Sequence, residues 1–363
     1  MAPSSAIAPG GSSLRAALRN TGCSPPTSAG QDRNGLEEEA VRAAVAVSQD
    51  PNDPLAGLEL TTRPDPQARP GWTRVRVRAA SLNPHDTWTL RGIGHPPERI
   101  PIILGCDAAG VTDDGREVVV YPVMGDAARG GGDSTLDPQR SLLSETIDGT
   151  LADYILLPES MIVAKPASLF FTEAACLGVA WGTAYRMLFT RAAVKAGDRV
   201  LVQGASGGVA SAAIALARAA GARVYATARS EQKREFALRC GAVEAFEPGA
   251  RLPERVDVVI ETVGEATWAH SLRALRPGGA IVIAGATSGA MPPADLQRVF
   301  YQQLRIIGST GCTRPEFEAL LRLLDTTGVR PHLETIAFDE ISTGFQRLLD
   351  GDVLGKLVVD FDR

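Results

Sequence analysis

The stretch Asp198–Lys233, DRVLVQGASGGVASAAIALARAAGARVYATARSEQK, decides how the rest of the chain is read. Arg199-Val200-Leu201-Val202-Gln203 is a short β-branched and apolar run, broken by Gly204-Ala205-Ser206-Gly207-Gly208. Val209 to Ala220 is rich in Ala, with Ile214 and Leu216 as its larger apolar members, which predicts a helix packed closely on a sheet. Gly221 ends that helix, and Arg223 to Ala228 supplies a second strand. Together they make one right-handed βαβ crossover.

A backbone without Cβ turns tightly and lets a pyrophosphate come close, while the helix start offers unpaired N–H groups and a positive dipole end. Gly204, Ser206, Gly207 and Gly208 are therefore the expected contacts of a dinucleotide; Ala210 replaces the last glycine of the fingerprint, a tolerated exchange. A site for NAD usually carries Asp or Glu about 20 residues after the glycines, facing the ribose 2′-hydroxyl. Here Thr227-Ala228-Arg229-Ser230 stands at that place, followed by Lys233. Arg229 and Lys233 can hold a 2′-phosphate through charge-assisted bonds, so Thr227, Arg229, Ser230 and Lys233 predict NADP rather than NAD. The bland alternative is that both are solvated surface cations.

The 363 residues are enough for two domains with sizeable cores, and the net charge of −5 gives no electrostatic reason to expect nucleic acid. Cys23, Cys106, Cys176, Cys240 and Cys312 lie far apart with no CxxC pair. That spacing predicts neither a disulfide framework nor a zinc ribbon, and fits a reducing, cytoplasmic setting. No apolar run reaches transmembrane length, so no membrane partner is expected.

Upstream of the βαβ unit, Thr172 to Phe189 is helical in outline. Gly125 to Ser144, GDAARGGGDSTLDPQRSLLS, is glycine-rich and polar and reads as a long surface loop, either a lobe at the rim of a cleft or an unconstrained insertion. Ahead of it come short strand candidates: Val41–Val47, Leu58–Thr62, Thr73–Ala79, Ile102–Leu104, Gly110–Thr112 and Glu117–Tyr121. Prolines separate the first three, and the series predicts a compact β-rich domain. Residues 1–39, rich in Ser, Ala, Gly and Pro, cannot bury enough surface to offset ordering entropy and read as a disordered leader. Arg15 and Arg19 give this leader a faint likeness to an organelle presequence, with a functionless tail as the simpler reading. Downstream, Val256–Ile260 and Ala280–Ala284 read as buried parallel strands, and Arg305–Gly308 and Leu357–Val359 as further strands. Asp295–Leu304, Arg314–Asp325 and Phe338–Leu349 read as helices.

From about Ala40 to Phe361 the chain resembles the medium-chain dehydrogenase/reductase superfamily, nearest its quinone-oxidoreductase-like members. The likeness rests on Ser81-Leu82-Asn83-Pro84-His85-Asp86, Leu104-Gly105-Cys106-Asp107-Ala108-Ala109-Gly110 and Asp148-Gly149-Thr150-Leu151-Ala152-Asp153-Tyr154. After the Gly204–Ala210 turn it continues in Asp257 to Gly264, Arg276-Pro277-Gly278-Gly279, Gly308-Ser309-Thr310 and Gly355-Lys356-Leu357-Val358. The resemblance implies an α/β protein in which a doubly wound Rossmann NADP-binding domain, residues 166–301, is inserted in a β-rich GroES-like catalytic domain, residues 40–165 and 302–363. It puts Thr183 and Val209 near the nicotinamide, Val263-Gly264 and Ala284-Gly285 on loops lining the cofactor cleft, and Ser309 among the cofactor contacts. It also implies a homodimer.

Zinc-dependent relatives carry Cys, His and Cys ligands where this chain has Asn83, Cys106 and Val179. One possible ligand of three does not hold zinc, so no metal is expected, although a rearranged site from His85, Cys106 and Asp107 stays open. Without that Lewis acid, conjugated acceptors are the easier substrates, because hydride can add to the β-carbon while charge spreads to a distant oxygen. Asn83 is then the first candidate donor to that oxygen. Asp86 either fixes its loop, touches the cofactor ribose or only shapes a turn, and Tyr185 either donates a proton or belongs to the core. The expected activity is NADPH-dependent reduction of small quinones or α,β-unsaturated carbonyl compounds, against an alcohol or carbonyl oxidoreductase and a catalytically silent NADPH sensor.

Overall fold

The computed structural model describes residues 40–363, so what was expected of residues 1–39, Cys23 included, lies outside the described residues. In chain order the first part runs β1 (Ala40–Ala46), β2 (Leu58–Pro64), β3 (Trp72–Ser81), helix α1 (Pro84–Arg91), β4 (Ile102–Ile103) and β5 (Asp107–Thr112). It continues through β6 (Glu117–Val120), β7 (Val123–Met124), β8 (Ser141–Leu142), β9 (Tyr154–Pro158) and β10 (Ile162–Ala164). Alternation decides the faces of β3: Val75, Val77 and Ala79 are buried, while Arg74, on the other face, pairs with Asp65 and Asp113. Strand β5 joins one side of β3 and β9 pairs with its first half, both antiparallel.

Segments from Phe171 to Arg191 then form a nearly continuous helical stretch: α2 (Phe171–Ala174), a π-helical turn, α3 (Gly182–Tyr185) and a second π-helical turn. Gly178 sits in this stretch because Asp107 is so near: a Cβ there would fall 2.5 Å from Asp107 Oδ1. The nucleotide unit follows as β11 (Arg199–Val202), α4 (Gly208–Ala219), β12 (Arg223–Thr227), α5 (Glu231–Arg239), β13 (Glu244–Phe246), β14 (Val256–Glu261), α6 (Glu265–Ala274), β15 (Leu275–Ile283), α7 (Leu296–Tyr301) and β16 (Arg305–Gly308). Its six strands are all parallel, in the order β13-β12-β11-β14-β15-β16. Strand order reverses beside β11, so the crevice outside its carboxyl end is the switch point where such sheets bind ligands. The fold is the expected α/β doubly wound arrangement. The sheet extends beyond residue 301, because β16 pairs with β15.

Helix α8 (Arg314–Thr327), β17 (Leu333–Ile336), α9 (Ile341–Asp350) and β18 (Lys356–Asp360) complete the chain. Phe317, Leu320, Leu321 and Leu324 of α8 share a core with the Ala-rich face of α4. Strand β18 returns to lie antiparallel to β3, so the end of the chain joins a sheet of the first part. The segment Gly125–Ser144 is not a free surface loop. Strand β8 pairs with β7, Leu143 is fully buried, and Asp137 collects N–H groups from Asp126 and Gln139 together with Arg129. No helix among the described residues is long and apolar enough to cross a membrane.

Candidate functional site

Between the glycine turn and the first part of the chain lies a cleft of about 670 Å³. Asn83, His85, Trp88 and Leu142 line it from one side, and Val179, Thr183, Ser206 to Ala210, Thr262, Ala284 and Gly285 from the other. Gly204 has φ +69°, and a Cβ there would lie 2.6 Å from Val263 Cγ2, so the turn and the loop after β14 close on one another through a missing side chain. Gly207 meets nothing within 4 Å and faces open space. Helix α4 starts with no side-chain cap, leaving its first N–H groups for an anion. The cradle fits the pyrophosphate of a dinucleotide.

At the end of β12 the expected residues separate. Arg229 is exposed and has no ion-pair partner among the described residues. Lys233 instead donates from Nζ to Gly351 O at 2.7 Å, and Ser230 caps α5 by accepting from Lys233 N. Thr227 is turned inward, where its hydroxyl donates to Gln203, whose amide meets His270 and Ser271. Thr262 lines the cleft where Val263 and Gly264 were expected; their N–H groups both go to the buried Glu261 carboxylate, with Gly264 at φ +90°. Thr310 and Gly311 line it beyond β16, while Ser309 donates its N–H to Ile283 O and keeps its hydroxyl buried without a partner.

At the substrate end Asn83 departs from expectation, while Asp86 takes its loop-fixing role and Tyr185 its place in the core. Asn83 cannot donate to a substrate: its amide nitrogen is bonded to Ser81 O at 3.2 Å and to Asp107 Oδ2 at 2.9 Å, which uses both hydrogens. Asp86 is fully buried and accepts from Asn83 N and Gly105 N, closing a capping box at the start of α1; it does not line the cleft. Tyr185 packs against Phe189 at 4.8 Å between ring centroids and is not among the residues of the cleft that Thr183 lines, since helical residues two apart point to opposite faces.

Sequence reasoning passed over Lys356, Trp88 and Glu145. The Lys356 ammonium donates to Asn83 Oδ1 at 2.6 Å and to Leu82 O at 3.0 Å, with Asp107 Oδ2 at 3.4 Å. The signal available for it was only the Gly355-Lys356 pair in a motif near the end of the chain. His85 holds Glu145 Oε1 2.9 Å from Nε2 and Cys106 Sγ 3.3 Å from Nδ1. Burial pulls the imidazole down, but Cys106 and Glu145 outweigh it and hold the ring above its ordinary range. Burial pushes the Cys106 thiol up to about 11, and it donates to Leu143 O.

Do these residues fit the zinc of related enzymes? At the matching positions Asn83 Oδ1 is taken by an ammonium, and Val179 offers no ligand atom. His85, Asp86 and Cys106 bring one donor atom each within 4.8 Å of one another, with Asp86 where Asp107 was considered. Both Asp86 oxygens already accept main-chain N–H groups, and the Cys106 sulfur donates to Leu143 O. Neither set fits.

Comparison with known proteins agrees with this anatomy. A family model described as alcohol dehydrogenase GroES-like domain matches residues 69–167, and one described as zinc-binding dehydrogenase matches residues 208–326. A zinc-type alcohol dehydrogenase-like protein of Schizosaccharomyces pombe is 34% identical over 73% of this chain and 78% of its own length. Human quinone oxidoreductase is 31% identical over 67% and 73%. Among solved structures, an NAD-dependent alcohol dehydrogenase superposes with a TM-score of 0.81 at 32% identity, covering 88% of this chain and 99% of that one. A crotonyl-CoA carboxylase/reductase in complex with NADP gives 0.80 at 26%, covering 88% and 95%. The chain belongs to the medium-chain dehydrogenase/reductase superfamily. It is an oxidoreductase with a nicotinamide-nucleotide site.

Proposed function

We propose that this protein is an NADPH-dependent, zinc-independent reductase of quinones or α,β-unsaturated carbonyl compounds. The observation that carries the reading is the ammonium of Lys356 on Asn83 Oδ1, a residue that the resemblance matches to a metal ligand of zinc-dependent relatives. A cleft with that feature activates a carbonyl by hydrogen bonding and charge rather than by a Lewis acid, which suits acceptors whose conjugation already lowers the barrier. Relatives named quinone oxidoreductase and crotonyl-CoA reductase support the same class of acceptor. NADPH, when bound, supplies hydride. Gly207 and the uncapped start of α4 receive its pyrophosphate, Thr183 and Val209 flank the nicotinamide, and Arg229 holds the 2′-phosphate.

A second copy of the chain is proposed at the edge of β16, which among the described residues pairs only with β15 and has Phe300, Tyr301 and Ile306 exposed beside it. Four described cysteines are free and buried, which accords with a cytoplasmic setting. The test is NADPH consumption at 340 nm with 1,4-benzoquinone and 2-cyclohexenone, with and without a chelator. Turnover unaffected by the chelator is expected. Loss of activity on chelation overturns the zinc-free reading, and binding of NADPH without consumption favours a sensor.

A further inference from the structure

With both Asn83 hydrogens spent on Ser81 and Asp107, the oxygen that gains charge during reduction needs another donor. His85 has each ring nitrogen against a partner, Glu145 or Cys106. Lys356 differs from both. It lines the cleft and is 4% exposed, with contacts of unequal strength. Asn83 Oδ1 at 2.6 Å and Leu82 O at 3.0 Å hold Nζ firmly, whereas Asp107 Oδ2 lies 3.4 Å away. Asp107 does not depend on that long contact, because Val179 N at 2.7 Å, Asn83 Nδ2 at 2.9 Å and Ser81 Oγ at 3.0 Å already serve its two oxygens.

We propose that Lys356 is a catalytic residue: its third N–H turns from Asp107 to the substrate carbonyl oxygen and stabilises the negative charge that develops there, as a tethered cation at the metal locus. This rests on the reductase reading above. The stem of the side chain supports it. A Cβ on Gly208 would lie 2.8 Å from Lys356 Cδ, so the lysine runs along the phosphate turn before its head reaches Asn83. Gly355 N donates to Ser206 O at 2.9 Å, tying the start of β18 to the same turn. One backbone feature thus sets both the dinucleotide and the ammonium, the kind of preorganisation that lowers a barrier without reorganisation at the moment of reaction.

In the reaction the β-carbon of the enone takes hydride from the nicotinamide, the alkene pair moves to form an enolate, and the carbonyl pair settles on oxygen against the Lys356 N–H. The α-carbon then takes a proton from water. One NADPH and one proton are consumed for each saturated ketone formed.

The test uses the full chain in two assays. In the first, 4-nitrophenol is titrated in the presence of NADP, since its phenolate resembles the enolate oxygen and is read by its absorbance. Wild type is expected to bind the phenolate at least about tenfold more tightly than Lys356→Met, with Lys356→Arg in between. In the second, kcat for 2-cyclohexenone is expected to fall by about 10²–10³ in Lys356→Met while the KM for NADPH stays within roughly a factor of three. Because Lys356→Met takes the neighbouring positive charge from the buried Asp107 carboxylate, Lys356→Met with Asp107→Asn is the companion that removes both charges and keeps the test available if the single variant does not fold. Equal phenolate affinity in wild type and the folded variant overturns the proposal, as does unchanged kcat. If wild type binds phenolate through Lys356 yet consumes no NADPH with either acceptor, the reductase reading fails and the oxyanion donor stands.

Discussion

Arg229 and Lys233 entered as a pair, and their surroundings now separate them. Arg229 is exposed at the end of β12 with no acidic partner among the described residues, whereas the Lys233 ammonium already sits on Gly351 O. A charge-assisted bond to a phosphate is worth about 1.5–3 kcal/mol, so Arg229→Ala is expected to weaken NADPH by about 10- to 100-fold. NADH should change by no more than about twofold, and Lys233→Ala should cost NADPH less than Arg229→Ala does. Fluorescence titration of both nucleotides measures this, and equal losses for NADPH and NADH sink the phosphate assignment. The same scale explains what the sequence could and could not say about the site. The glycine turn was legible because its chemistry is local, contained in Gly204 to Ala210. The donors of Asn83 were not, because their allocation depends on Asp107, 24 residues on, and on Lys356, 273 residues on. Nothing near Asn83 announces either partner.

Elements with a strong period were readable, and those without one were not. The apolar runs of β11, β14 and β15 and the Ala-rich face of α4 stand in the structure where their patterns placed them. Helix α5, Glu231–Arg239, has only Phe236 and Ala237 buried, too few apolar positions to show a stripe. Strands β10 and β13 are three residues each, shorter than any period can mark. Strand β16 was readable as a strand but not as the edge of the nucleotide sheet, since pairing is a property of two strands. That edge carries a prediction at the same scale. A strand with no second partner among the described residues, beside exposed Phe300, Tyr301 and Ile306, is a template for a second copy, and isologous pairing there would extend the sheet across a two-fold axis. Size-exclusion chromatography with light scattering is expected to give a dimer, and Phe300→Lys with Ile306→Lys a monomer. A wild-type monomer at micromolar concentration rules this interface out.

At the scale of the whole molecule the question is what holds the Gly125–Ser144 lobe against the helical stretch below the cleft. One answer is a nearly buried guanidinium. Arg186, 3% exposed, pairs with Asp133 of the lobe and with Glu316 of α8 at 2.8 Å, and Glu316 also accepts from Thr313 N and Thr190. Burial works to raise both carboxyls, but the bonds from Thr135 and Arg186 to Asp133, and from Thr190, Thr313 and Arg186 to Glu316, outweigh it, so both lie below the usual carboxylate range. A carboxyl whose pKa is lower folded than unfolded adds stability that is fully present above its unfolded value and is lost as pH falls through the folded one. The triad should therefore make the protein acid-sensitive below about pH 4. Removing the shared cation strands two partly buried charges, so Arg186→Met is expected to cost about 3–5 kcal/mol at pH 7 by urea unfolding. It should cost less at pH 3, where the carboxyls of the unfolded chain are already protonated and part of the triad's stabilisation is gone. If the loss is the same at both pH values, the clasp acts through packing of the arginine stem rather than through its charge. A second consequence reaches the cleft: Thr135, Pro138, Arg140 and Ser141 of this lobe line it, so loosening the clasp should raise the KM for the acceptor while leaving NADPH binding, which the glycine turn provides, within about twofold.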